Sequence, residues 1–353
     1  MSLDPIALLD GPRGRRLCLE ILRAAPDTLE KSDAIHAVFW AGRALAENPG
    51  TVMWIGEAPG DEPMVSVAEA AAALARVPLP ELTPALIDRA LQVVVGLAAY
   101  WQPPYGEDVL LAADDVRAVL APVADRAGES AHARWWVSSV ARDDQWTVAR
   151  EGEHRGSEAP EAILADWRGA MAATELQFAA AENADRLSGP WWSTPPMSLP
   201  RTTRRRGAAG PVALSLVEDS FGWRSARVEP VAVPSGEAIE IDGPHAWAAL
   251  CRRHPLVVTA SRRAVWRWTT GREGVWIQPD WSAVAREAVG VHLTVAGYLT
   301  TAGKVVDLGD LGASVLAGWG PDETFWFDEV TPAGGAEEWI AADSGEPGSW
   351  RRA

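Results

Sequence analysis

The sequence predicts an α+β fold, with a helical N-terminal domain over residues 1–187 and a mixed α+β domain over 212–330 whose sheet is mostly antiparallel. Three observations point there. Apolar residues recur every three or four positions through most of the first half, which is the helical period. The stretch "SGPWWSTPPMSLPRTTRRRGAAGP", 188–211, carries five prolines and a run of three arginines, so it reads as a linker. Beyond it the apolar runs shorten and begin to alternate, as strands do.

The elements follow in order. "RGRRLCLEILRAA" has helical spacing, and "SDAIHAVFWAGRALAENPG" places a cap at Ser32 and a stop at Asn48-Pro49-Gly50. Thr83 followed by Pro84 is a strong helix start, because the hydroxyl can cap and proline's missing N–H costs nothing in the first turn. "DDVRAVLAPVADRAG" reads as a helix that Pro122 should kink or divide, and 157–187 as one long helix. The pair Trp191-Trp192 is expected to pin the linker onto a domain. Strands are then expected at 212–219, 223–233 and 237–242, a helix at 244–254, a strand at 255–260 and a hairpin at 264–278. A short helix starting at Asp280 precedes strands at 290–299, 314–319 and 324–330, and the glycine- and proline-rich 331–353 reads as a flexible tail.

Composition narrows the function classes. The net charge of −16 argues against extended nucleic-acid binding or adhesion to an anionic membrane. The most apolar run, 90–101, is too short to span a bilayer, and the N-terminus lacks the pattern of a secretory signal, so a cytoplasmic location is expected. Cys18 and Cys251 sit in apolar helical settings and read as two buried thiols. Phosphate loops, dinucleotide-binding glycine motifs, nucleophile elbows and clustered metal ligands are missing, so neither a cofactor nor a metal is expected. Nothing in the sequence specifies an oligomeric state.

Nineteen tryptophans against three tyrosines and five phenylalanines is the unusual feature. Four of them lie in "SRRAVWRWTTGREGVWIQPDW", 261–281, beside four arginines. As a hairpin this stretch puts Trp266 and Trp268 on one face and Val265, Arg267 and Thr269 on the other. The rings could stack on a ligand, but burial of a large ring pair is the commoner use, so they read mainly as core. Arg262, Arg263, Arg267 and Arg272 are the better ligand candidates. Charge is also segregated: twelve arginines face six acids between 201 and 272, whereas 305–349 holds ten acids and no lysine or arginine. Either the arginines attract a small anion, or the acidic segment folds against them.

"GPWWSTPP", the 261–281 stretch, "GVHLTVAGYLTTAG" and "SVLAGWGPDETFWF" resemble segments that recur in actinobacterial proteins without an assigned activity, over roughly 188–330. A fainter resemblance is to ADP-ribosyltransferase-like folds, in which a short "HLT" strand leads into a helix; the family's first strand motif and its catalytic glutamate have no counterpart here. Two readings follow. One is a non-catalytic protein whose Arg262, Arg263, Arg267, Arg272, Trp266 and Trp268 hold a small anionic ligand or a protein partner. The other is an enzyme acting on a nucleotide-like or phosphorylated substrate, with His292, Tyr298 and an acid such as Asp280 or Asp322 converging near the arginines.

Overall fold

The computed structural model describes residues 3–51, 62–153, 158–183, 185–218, 220, 222–342 and 349–353. Helices dominate the first half: α1 (Pro5–Asp10), α2 (Pro12–Arg23), α3 (Leu29–Leu45), α4 (Val67–Leu74), α5 (Pro84–Gly96), α6 (Gly106–Leu111) and α7 (Asp114–Glu129). Strand β1 (Gln145–Arg150) and helix α8 (Pro160–Ala180) follow. The remainder alternates: β2 (Arg201–Thr202), β3 (Ser225–Ala232), β4 (Ala238–Ile241), α9 (Pro244–Arg253), β5 (Pro255–Val257), α10 (Thr259–Thr270), β6 (Ile277–Pro279) and α11 (Trp281–Val284). Then come β7 (Gly290–Leu293), α12 (Val295–Thr301), β8 (Val306–Asp307), β9 (Ala313–Ser314), β10 (Thr324–Trp326), β11 (Thr331–Pro332), β12 (Glu337–Ala341) and β13 (Trp350–Arg352). Helices lie mainly N-terminal and the sheets are dominated by antiparallel pairs, so the fold is α+β. Among the described residues, no helix is long and apolar enough to cross a membrane.

One sheet runs β1-β3-β12-β13, all antiparallel, with β11 also paired to β3. A second runs β2-β10-β7-β4, parallel only between β7 and β4. The Trp146–Thr203 bridge links their edges. A continuous apolar core extends from Leu17 and Leu91 in the helices to Trp247, Trp281 and Trp319 in the second half. Gly11 shows how tightly the halves meet: a Cβ there would stand 2.3 Å from the Leu299 carbonyl oxygen of α12.

Several expectations are corrected. The expected hairpin is helix α10 followed by a loop and β6. Its buried positions 262, 265, 266 and 269 fall at helical spacing, so packing overrides the strand preference of Trp, Val and Thr. Gly271, inside the expected hairpin, ends the helix in the left-handed region at φ 72°, donating its N–H to the Arg267 carbonyl. Residues 290–299 divide at Thr294, which caps α12 by accepting from the Gly297 N–H. Residues 212–214 form a 3-10 turn, and of 314–319 only Ser314 lies in a strand. Thr28, not Ser32, caps α3, and α7 runs through Pro122 without dividing. The expected linker supplies β2, and the expected tail supplies β11, β12 and β13. Strand β1, inside the expected helical domain, pairs along its whole length with β3.

The tryptophans make the second half a ring-packed core. Trp281 stands edge-on to Trp319 at 5.9 Å, and Trp319 edge-on to Phe325 at 5.4 Å. Their N–H groups are paired: Trp247 with Ser314 Oγ, Trp281 with the Ser193 carbonyl and Trp326 with Thr202 Oγ1. Aromatic burial with these three indole donors paired stabilises this core, although the buried Trp276 Nε1 has no partner among the described residues.

Candidate functional site

The sheet brings two of the proposed catalytic residues together. Parallel pairing sets His292 of β7 beside Glu240 of β4, with His292 Nδ1 and Glu240 Oε2 2.5 Å apart. On the other side His292 Nε2 lies 3.4 Å from Asp322 Oδ1. Asp322 precedes β10 and is the one non-glycine among the described residues with positive φ, at 63°. Its carboxylate is held by Arg204, which donates from Nε at 2.6 Å and from its backbone N–H at 3.1 Å. Glu240 accepts from the Val140 N–H, and Arg204 reaches the Ser139 carbonyl and stacks over Trp135. Burial lowers the affinity of His292 for a proton, but Asp322 and Glu240 outweigh it and hold the imidazole pKa above its ordinary value.

Both ring nitrogens of His292 are therefore engaged, and the side chain is 1% exposed. A histidine so held has no free nitrogen to present to a substrate. The arrangement is a closed charge network that ties β4, β7, the turn before β10 and the former linker together. The strain at Asp322 is held by the two Arg204 bonds.

The other two catalytic candidates lie elsewhere. Asp280 caps α11, accepting from the Ser282 N–H, and pairs with Arg168 at 2.8 Å. Tyr298 sits on α12 beside a second polar cluster. Glu218 keeps part of its surface in solvent, but its carboxyl lies inside, accepting from Tyr100 Oη at 2.9 Å and the Gly318 N–H at 3.0 Å. Burial pushes the Glu218 carboxyl up to about 7, against the opposing influence of Tyr298, Tyr100 and Arg13.

The four arginines do not converge. Arg262 is buried and donates to Ser261 Oγ and the Trp192 carbonyl, with its pKa lowered by burial to about 10. Arg263 pairs with Asp185, Arg267 with Glu273, and Arg272 stacks over Trp276. On helix α10 Trp266 and Trp268 point in different directions. Trp266 is fully buried against Trp276 and donates to the Trp191 carbonyl, whereas Trp268 is half-buried. The acidic segment does fold onto arginines, but onto others: Arg201 with Glu323, Arg204 with Asp322, Arg205 with Glu337 and Arg227 with Glu338. Asp343 and Glu346 of that segment lie outside the described residues.

Among the described residues, two larger open concavities stand apart from these networks. One, about 540 Å³, lies beside α3 and the loop before α6, and the three arginines in its wall are already bound, Arg16 and Arg23 by Glu107 and Arg43 by Glu62. The other, about 760 Å³, lies between α5 and the sheet; Val93, Gly96, Leu214, Val217, Trp223 and Trp350 form its apolar wall, and Asp88, Arg89 and Gln92 of α5 also line it. No family model, curated protein or solved structure matches this chain. The functional argument thus rests on its own geometry.

Among the described residues, no group of three or more His, Cys, Asp and Glu side chains could hold a metal ion. Both cysteines are buried and their thiols pushed up to about 12 by burial, which keeps them protonated and unreactive. Sequence reasoning missed Glu240, Arg204 and Glu218, whose partners are 52, 118 and 118 residues away. It also missed Trp350, because the tail was read as unstructured. The strand-favouring pair Trp339-Ile340 in "EEWIA" is a local signal for a strand here.

Proposed function

We propose that this protein is a non-catalytic binding protein whose ligand occupies the cleft between α5 and the five-stranded sheet. The observation that carries the reading is a separation. The cleft of about 760 Å³ is walled by two tryptophans, aliphatic side chains and the polar Arg89, Gln92 and Asp88, the last already bound by Arg206, while the acid–base groups His292, Glu240 and Asp322 lie in a closed network elsewhere. Pockets of roughly 300–1,000 Å³ with apolar walls are of the size that takes small ligands or side chains. An enzyme would need acid, base and anion donors around one opening.

The test uses a plug. Gly96, the last residue of α5, has nothing within 4 Å of the position its Cβ would take, so Gly96→Phe projects a ring into open space. The fluorescent anion 8-anilinonaphthalene-1-sulfonate should bind the wild type saturably at one site, and Gly96→Phe should abolish that binding with the melting temperature unchanged. Binding that survives the plug, or never saturates, removes the cleft as the site.

A further inference from the structure

We infer that the open edge of β13 takes up an extended acidic segment of a protein partner, with the partner's apolar side chains entering the cleft; this rests on the cleft being the binding site. Strand β13 ends the five-stranded sheet. Its ladder with β12 is fixed by the Ala342 N–H donating to the Ser349 carbonyl and the Ala353 N–H donating to the Glu338 carbonyl, both at 2.9 Å. In antiparallel pairing the hydrogen-bonded positions alternate, so Ser349, Arg351 and Ala353 face β12. The N–H and C=O of Trp350 and Arg352 therefore point away from the sheet, and no described residue pairs with them. An unpaired edge of this kind is a template for a further strand.

The side chains state which strand fits. Trp350 and Arg352 lie on one face of the sheet with Trp339 and Ala341, their cross-strand partners, and Trp350 and Ala341 both line the cleft. Alternate residues of an added strand would project on this same side, where the apolar wall is. Arg351 projects to the opposite face and is exposed. The complement is an alternating segment, apolar toward Trp350 and acidic toward Arg351. A second copy of this chain is a poorer match, because pairing β13 with itself about Arg351 sets like charges opposite each other. The same charge guards the edge against self-association.

The test measures fluorescence anisotropy at low salt with a fluorescein-labelled peptide of alternating valine and glutamate, and a valine–lysine peptide beside it. The acidic peptide should bind and the basic one should not. Arg351→Glu should weaken binding by about tenfold or more, a change in affinity of roughly 1.4 kcal/mol. Arg352→Pro removes an outward N–H without touching the ladder to β12, so it should weaken binding well beyond Arg352→Gln, which keeps that N–H. Equal binding of both peptides, or equal effects of Arg352→Pro and Arg352→Gln, would overturn the inference. So would a concentration-dependent dimer, seen by light scattering, that Arg352→Pro dissolves. If the acidic peptide fails while the sulfonate probe still binds in a manner sensitive to Gly96→Phe, the strand inference falls and the cleft stands.

Discussion

His292 and Glu240 are 52 residues apart in sequence yet meet side by side on neighbouring parallel strands, Nδ1 to Oε2 at 2.5 Å. Asp322 closes the other side of the ring, so one imidazole sits between two carboxylates. Removing one member of such a network leaves charge without a partner in low dielectric. His292→Gln should cost about 3–5 kcal/mol, measured by urea unfolding near neutral pH.

The same network sets a pH dependence with a definite sign. The folded pKa of His292 is raised above 6.5, so its contribution is fully present below that value and is lost as pH rises through the raised one. Melting curves of the wild type between pH 6 and 9 should fall relative to those of His292→Gln. Parallel curves would mean that the ring is neutral throughout and that the carboxylates do not charge it.

Glu218 pushes in the opposite chemical sense. Its folded pKa of about 7 exceeds the ordinary 4.5, so the folded state holds a proton that the unfolded chain releases, and stability declines as pH rises from 4.5 to 7. Arg13, Tyr100, Tyr298 and the Gly318 N–H are the groups that face it. Glu218→Gln should remove this slope and be more stable than the wild type at pH 8, with little difference at pH 4.5. A variant less stable at pH 8 would show that Arg13 pairs with a carboxylate there.

What the sequence made legible was local. Thr83 and Pro84 start α5 as a cap and a first-turn proline should, and Asp280 caps α11, because each signal acts within three residues. Helices do lie mainly N-terminal, as the helical period of the first half implies. The stretch 261–281 was misjudged because Trp, Val and Thr favour strands intrinsically, and only the tertiary packing of Arg262, Val265, Trp266 and Thr269 selects a helix. Charge segregation was visible, but not which arginines the acids would choose. Arg204 meets Asp322 through chain topology, and topology leaves no mark at either residue.

Trp266 and Trp268 differ by position on α10, and that difference is measurable. Trp266 is fully buried, edge-on to Trp276 at 5.3 Å with its N–H on the Trp191 carbonyl, whereas Trp268 is half-buried. Trp266→Ala should cost about 3–5 kcal/mol in chemical unfolding. Trp268→Ala should cost clearly less. Equal losses would place both rings on the buried face, as no helix two residues apart allows.

The three arginines Arg204, Arg205 and Arg206 invite tryptic cleavage by sequence, but the fold withdraws them. Arg204 is bound to Asp322, Arg205 to Glu337 and Arg206 to Asp88, and each guanidinium also stacks on a tryptophan, Trp135 or Trp146. Protease must draw several residues of backbone into its site, and here that means breaking all of these contacts together. Arg186 is different: it is exposed, in a turn after α8, and the next residue Leu187 is 44% exposed. Limited trypsin should therefore cut after Arg186 before it cuts at 204–206. The two pieces should then stay together on gel filtration, since β1 of the first pairs with β3 of the second over six residues and Asp88 holds Arg206 across the nick. They should part only in denaturant. Pieces that separate in native buffer would mean that the chain divides near residue 187 into two units that hold their structure independently.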